Sequence, residues 1–321
     1  MQKRLMQKAI ELLENGTVDR ILGWQAGEFF YDLTPAVFTS KEQIEKNFVF
    51  NVFAGSNLSK YLIAESRKGG KVAAFIKPCD SYSFQQLLKE HRIWRDHVYV
   101  VGVQCDGMCD VAKLGCDGVL SVKEDGENLI VETLYGEKTV KKADAMADRC
   151  ASCKSKKIVV FDELIGQQGE ETEVDRFGEI AKLEAMTPEE RFDFWRNELS
   201  RCIRCNACRN VCPACSCEKC VFDNANSGVR NKAAADSFEE NMFHIIRAFH
   251  VTGRCTDCGE CSRVCPQNIP LHLLNRKMIK DINELYGEYQ AGADMDTKPP
   301  LTNFTLDDCE PSIVHERGGQ N

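Results

Sequence analysis

Apolar positions Leu5, Ala9, Leu12 and Leu13 recur along one face of the segment from Met1 to Glu14, and Asn15-Gly16 follow, which predicts an amphipathic helix with its C-cap. Ser56 to Lys68 reads as a second helix, stopped by Gly69-Gly70. Lys71 to Lys77 and His97 to Gln104 are short, continuously apolar runs, the pattern of strands buried on both faces. Between them Pro78-Cys79-Asp80 leads into a helix over Ser81 to Glu90, with Asp80 as its N-cap. Strand, loop, helix, strand predicts a βαβ unit that puts the loops bearing Cys79 and Cys105 at the carboxyl edge of a parallel sheet, where ligands gather. Gly118 to Tyr135 reads as a hairpin turning at Glu124-Asp125-Gly126, and Lys157 to Phe161 as a last strand.

The pattern then changes period. Glu163 to Ala185 is acidic and carries glycine, the composition of a linker. Thr187-Pro188-Glu189-Glu190 is a helix start, with threonine as N-cap, proline at the first helical position and glutamate closing a capping box. Phe192, Trp195 and Leu199 share one face of that helix. Asp236 to Val251, with Phe238, Met242, Ile245, Ile246 and Phe249, and the stretch after Pro270, with Leu273, Leu274, Met278 and Ile282, predict two more. From Ala291 the chain is polar, with Pro299-Pro300 and Gly318-Gly319, and reads as a disordered tail or an arm laid on a partner. The expected fold is an α/β N-terminal domain over 1–162, an acidic linker over 163–186, a mostly α-helical, ferredoxin-like domain over 187–290 and a polar tail over 291–321.

Composition narrows the function. A length of 321 residues suffices for two cores, and 43% hydrophobic with 28% charged residues is ordinary for a globular protein. A net charge of −8 argues against a nucleic-acid binder, which needs a basic face. The N-terminal segment lacks the apolar stretch of a secretory signal, and no apolar run approaches the length of a membrane span. Eighteen cysteines are therefore expected in a cytoplasmic, reducing setting, where thiols bind metal instead of pairing.

Two stretches give those thiols their chemistry. Cys202, Cys205, Cys208 and Cys212-Pro213 repeat as Cys255, Cys258, Cys261 and Cys265-Pro266, each a C-x2-C-x2-C-x3-C-P run. Three cysteines at such gaps wrap three corners of a 4Fe–4S cube, and the fourth, one helical turn on, ligates the other cube in two-cluster ferredoxins. Zinc sites use separated C-x2-4-C pairs instead. The expected ligand sets are Cys202, Cys205, Cys208 and Cys265 for one cube, and Cys255, Cys258, Cys261 and Cys212 for the other.

Ten cysteines lie outside these runs. Cys79, Cys105 and the pair Cys150-x2-Cys153 fit a third 4Fe–4S cluster, with Cys109 the rival for one position; a zinc site and plain buried thiols are the alternatives. Cys215, Cys217 and Cys220 follow the first run directly and supply a replacement ligand, shield the cluster or pack; Cys116 and Cys309 carry no assignment. Arg201, Arg204, Arg209, Arg254 and Arg263 stand beside the cubes, where positive charge raises a reduction potential, or else simply offset an acidic surface. His244 and His250 read as packing or capping residues.

On these motifs the N-terminal half resembles the β-subunits of deazaflavin-dependent hydrogenases and dehydrogenases, through Lys77-Pro78-Cys79-Asp80, the strand leading to Cys105 and the Cys150 pair. The C-terminal half, with its first run and Phe249-His250-Val251-Thr252-Gly253-Arg254-Cys255, resembles the helical ferredoxin domains of heterodisulfide reductase small subunits. The fusion is similar to iron–sulfur subunits of anaerobic formate dehydrogenases, hydrogenases and heterodisulfide-reductase-linked complexes, and to the electron-transfer subunit of anaerobic sulfite reductase. The resemblance implies an electron-carrying subunit with other redox subunits, and ferredoxin, as partners. It also raises a second class, a subunit with FAD that exchanges electrons with a soluble deazaflavin or nicotinamide. Members that reduce deazaflavin bind FAD near a glycine-rich segment; Phe53-Ala54-Gly55-Ser56-Asn57-Leu58 occupies the comparable place with one glycine, and no G-x-G-x-x-G or P-loop is present.

Overall fold

The computed structural model describes residues 1–223 and 237–301. Helix α1 (Gln2–Glu14) buries Leu5, Ala9 and Leu12. Strands β1 (Arg20–Ala26) and β2 (Leu33–Phe38) pair antiparallel, with Ile21 opposite Phe38 and Ala26 opposite Leu33. Helix α2 (Lys41–Asn47), capped by the Ser40 hydroxyl, and the short α3 (Leu62–Glu65) lead to β3 (Val72–Ile76), α4 (Pro78–Lys89) and β4 (Val98–Val103). A meander of β5 (Val119–Asp125), β6 (Asn128–Thr133) and β7 (Gly136–Lys141) follows, then one turn of helix α5 (Asp148–Ala151) and the edge strand β8 (Glu163–Ile165).

The main sheet has the order β2-β1-β3-β4-β8, with β1, β3, β4 and β8 parallel. Every residue of β3 is buried, and Trp24 and Phe75 are fully enclosed. Each such side chain contributes about 1.5–3 kcal/mol by leaving water. Because β3 and β4 are parallel neighbours, the residues after each, Cys79 and Cys105, emerge side by side at the carboxyl edge.

The C-terminal region is helical: α6 (Gly178–Glu184), α7 (Pro188–Ser200), α8 (Ala207–Asn210), α9 (Ser237–Val251), α10 (Glu260–Arg263) and α11 (Leu271–Tyr286). Helix α7 begins with the Thr187–Glu190 capping box. It packs on α9, α9 packs on α11, and α8 lies against α10. Among the described residues no helix is long and apolar enough to cross a membrane.

Several elements differ from the sequence expectation. Asp80 sits in the third position of α4 instead of the N-cap; its carboxylate reaches back to the Lys77 N–H and takes the Lys77 ammonium at 2.9 Å, both groups fully buried. Ser56 to Leu58 stays out of helix because the Asn57 side chain accepts from the Ser59 N–H while its amide donates to Ser83. Lys157 to Phe161 forms no ladder. Its backbone is satisfied by side chains, Gln168 on Ile158 and Ser81 on Val159, and Ile158 and Phe161 pack over Gly102. The strand falls instead at β8, inside the stretch expected as linker. That stretch also supplies α6, whose Ile180 and Leu183 pack with Leu273. The expected hairpin gains a third strand, β7. The start of the tail docks on its own chain: just before it Tyr289 donates to the Gly253 carbonyl at 3.0 Å, and within it Gly292 (φ +72°) lies so close to the Tyr82 carbonyl that no side chain fits. Cys309 and Gly318-Gly319 lie outside the described residues.

Candidate iron–sulfur centres

The two cysteine runs fold alike. In each, the second residue after the first cysteine is left-handed, Arg204 (φ 56°) and Asp257 (φ 60°), and so is the residue before the third cysteine's helix, Asn206 (φ 62°) and Gly259 (φ 68°). These turns swing Cys202, Cys205 and Cys208 around one point, and the second run repeats the geometry. Gly259 is required twice over, since a Cβ there would also lie 2.7 Å from the Arg149 side chain.

Cys202, Cys205, Cys208 and Cys265 line one cavity, so the last cysteine of the second run faces the first three of the first. Two donors point at the thiols. The Arg204 N–H lies 3.4 Å from the Cys202 sulfur, and His244 Nε2 lies 3.2 Å from it. Burial, then Arg247 and Arg204, push the His244 pKa down to about 3, so the imidazole is neutral; against a thiolate at Cys202 the tautomer with the proton on Nε2 would be the donor. The sequence offered His244 only as one polar position in an apolar stripe; its contact with Cys202, on a different element, was not legible there.

Cys212 crosses the other way. It packs beside Cys255, and its charge acts on Cys255, Cys258 and Cys261. Burial is the main cause that pushes these three thiols up, to about 12 for Cys255 and about 11 for Cys261. A metal bound there displaces protons. The Cys212 thiol itself is held below the usual thiol range by a hydrogen bond from Cys215. Asn275 donates to the Cys261 sulfur at 3.7 Å, a long contact.

At the sheet edge, Cys79, Cys105, Cys150 and Cys153 line a further cavity together with Cys258 of the second run. Cys79 opens α4, Cys105 follows β4, and the other two come from α5 and its exit. Burial raises Cys79 and Cys105, the latter to about 11. Cys109 is buried elsewhere, its N–H bonded to the Val52 carbonyl, and Cys116 packs against the sheet core; neither lines this cavity. Among the described residues no three His, Cys, Asp or Glu side chains are placed to hold a single metal ion. Two of the sets line cavities instead, Cys202, Cys205, Cys208 and Cys265 one and Cys79, Cys105, Cys150 and Cys153 the other.

Charged pairs close the seam between sheet and helices. Arg149 donates to the carbonyls of Gly55 (2.8 Å) and Cys258 (3.1 Å) and to Glu260 (2.6 Å). Burial pushes the Glu260 carboxyl up, but Arg263 and Arg149 outweigh it and hold it at about 2. Asp257 is likewise held below the usual carboxylate range: Arg276 and Arg176 overcome its burial. Burial, with Arg176, brings Lys154 down to about 7 as it donates to the Thr256 carbonyl. At Gly55, the segment comparable to a flavin loop, an added Cβ would lie 2.6 Å from Arg149 and 3.0 Å from Arg263, and Ser56 and Asn57 are buried in hydrogen bonds.

Residues 198–269 match the family described as a 4Fe-4S dicluster domain. The chain is 25% identical to the F420-dependent formate dehydrogenase subunit beta of Methanocaldococcus jannaschii, over 91% of this chain and 92% of that one. It therefore resembles the β-subunits of F420-dependent dehydrogenases along nearly its whole length. The F420-dependent formate dehydrogenase 1 subunit beta of Methanococcus maripaludis is also 25% identical, at 90% of each chain. A chain in a structure of the F420-reducing [NiFe] hydrogenase complex from Methanosarcina barkeri matches at 18% identity and a TM-score of 0.39, covering 63% of this chain and 90% of that one.

Proposed function

We propose that this chain is the iron–sulfur electron-relay subunit of a multi-subunit oxidoreductase, of the formate dehydrogenase or hydrogenase kind that the resemblance points to. The observation that carries this reading is shared walls. Cys208 and Cys261 pack in one cluster, and Cys258 of the second run lines the sheet-edge cavity. Three thiol-lined sites thus stand in series from the helical region to the sheet. Cys202, Cys205, Cys208 and Cys265 would hold one 4Fe–4S cube, Cys212, Cys255, Cys258 and Cys261 a second, and Cys79, Cys105, Cys150 and Cys153 a third.

A cube bound at each site supplies a store for single electrons. The chain's own residues do the rest. Buried walls keep water from the thiolates, while His244, Asn275 and backbone N–H groups donate to sulfur and favour the reduced, more negative state. Arg149 adds positive charge beside Cys150 and Cys79, whereas Lys77 is neutralised by Asp80. Cys205 and Ile203 are exposed, so the outer site reaches the surface where another subunit can dock. The alternative subunit with FAD needs room beside Gly55, where Arg149 and Arg263 close over the backbone; that packing favours the relay.

The test uses the chain purified anaerobically with its co-expressed partners. Replacing Cys79 and Cys105 by serine should lower iron by about four atoms per chain relative to the unmodified protein, the content of one cube. The chain alone should reduce a dye from reduced deazaflavin or NAD(P)H at less than about 1 s⁻¹, the low end of enzyme rates. Flavin released in a one-to-one ratio with the chain, with faster turnover, would replace the relay by a flavoenzyme.

A further inference from the structure

Cys215-Ser216-Cys217-Glu218-Lys219-Cys220 has no part in the three sites above, yet all three of its cysteines line one cavity of about 350 Å³. The loop that presents them is held from outside. Lys60 donates to the Cys215 carbonyl and Arg92 to the Ser216 carbonyl. The Ser216 hydroxyl sits between Arg254, at 3.0 Å, and Glu90, at 3.2 Å, and Arg254 in turn grips Glu90 at 2.7 Å. Three contacts from the α/β region, from Lys60, Arg92 and Glu90, thus hold Cys215 and Ser216 in place.

The cavity is also cationic. Lys60, Arg209, Arg247 and Arg254 line it, against two acids: Asp223, already paired with Arg209 at 2.9 Å, and the exposed Glu218, which lies 3.6 Å from Arg92. Arg247 is 1% exposed, and no carboxylate or carbonyl answers its guanidinium; the Cys261 thiol is the group it bonds. A buried charge is unstable without a counter-charge. Its surroundings are thiols, those of Cys261, Cys208, Cys212 and Cys215. Cys215, Cys217 and Cys220 face these cations, and thiolates held by a metal would supply the counter-charge that neutral thiols do not.

We propose that Cys215, Cys217 and Cys220 bind a further iron–sulfur cluster, with His250 on the same wall as the nitrogen donor for its fourth corner. This goes beyond the relay of three centres and places a branch beside the middle one, through the Cys215–Cys212 contact. A single zinc ion is a poorer occupant: its thiolates must close to about 2.3 Å from one point, and no three such groups among the described residues converge that way. Loading is a ligand exchange. Each thiol loses its proton as its sulfur replaces a carrier thiolate on an incoming cube, so no electron is gained or lost.

Two measurements on the full chain with its partners test this. The Cys217→Ser, Cys220→Ser double variant spares Cys215 and its contact with Cys212. It should lose about four iron atoms per chain relative to the unmodified protein, while the electron paramagnetic resonance signals of the other centres persist. The second needs no variant. Cys217 is exposed in the bare chain, so iodoacetamide should label it at least about tenfold faster after iron is stripped by a chelator than before. Unchanged iron in the double variant, a loss of a single metal atom, or equally fast labelling of Cys217 before and after stripping would each overturn the proposal. Failure of the relay itself would show separately, as an unmodified protein with little iron at all.

Discussion

The ferredoxin-type runs and the sheet-edge cysteines arrive at thiol-lined cavities by opposite routes. In the helical region two short loops with the same left-handed turns each bring three cysteines together locally, and long-range packing adds only the crossing cysteines, Cys212 and Cys265. At the sheet edge Cys79, Cys105 and the Cys150–Cys153 pair come from three separate elements, and parallel pairing of β3 with β4 assembles them. The supporting cores differ in the same sense. The sheet rests on one large apolar cluster built around Trp24, Phe75 and Val100. The helical region has small clusters in which cysteines are themselves prominent members, such as Leu199, Cys208, Cys261, Ile269 and Leu271. One region is folded by its hydrocarbon; in the other, cysteines are themselves part of the core.

That contrast is most sharply broken by removing iron. Chelation should unfold 198–269 while the sheet stays intact, because a structural metal–thiolate site contributes on the order of 10 kcal/mol. Hydrogen exchange should show amides of α8 and α10 losing protection and those of β3 and β4 keeping it. Equal loss in both regions would erase the distinction.

The seam comes next. Arg149→Met should destabilise the helical region by about 3 kcal/mol, the low end for removing one partner of a buried pair, since Glu260 keeps Arg263. Denaturant unfolding followed by cluster absorbance checks it. Acid probes the same carboxylate. Glu260 is held at about 2 against an ordinary 4.5, so its contribution is complete above pH 4.5 and is lost as pH falls towards 2. The span corresponds to about 3 kcal/mol. Glu260→Gln should flatten the stability curve across that window, and an unchanged curve would remove Glu260 from the account. The smallest effect is at His244. Replacing it by leucine deletes one N–H to the Cys202 sulfur, worth about 1 kcal/mol, and should lower that centre's potential by roughly 40 mV for a one-electron couple. A redox titration followed by electron paramagnetic resonance reads it.

How much of this was legible follows from the range of each interaction. The Thr187–Glu190 box, the β3 and β4 runs and the cysteine spacing are written within a few residues, so they can be read directly. The β1–β2 hairpin was not, since Pro35 and the spaced apolar residues of β2 give no clean alternation, and β2 is an edge strand where proline is tolerated. β8 was hidden because its Leu164 and Ile165 sit in an acidic stretch and earn their place only against Gly102 on β4. Asp80 misled by position: the signature of a cap is the same when the side chain reaches back from the third helical residue. At the sites, His244, Arg149 and Arg247 carry no local motif. Each acquires its role from cysteines or carbonyls far away in the chain.

The Arg149 side chain also bears on how the protein is made. Its guanidinium bonds a carbonyl of the sheet region, Gly55, and one of the second cysteine loop, Cys258, while its neighbour Cys150 lines the sheet-edge cavity. A nascent chain whose second cysteine loop has not yet formed offers this arginine Gly55 alone of its three partners. Closure of the seam is therefore coupled to the shape of the second cysteine loop: only when that loop presents the Cys258 carbonyl does Arg149 have both of its backbone partners.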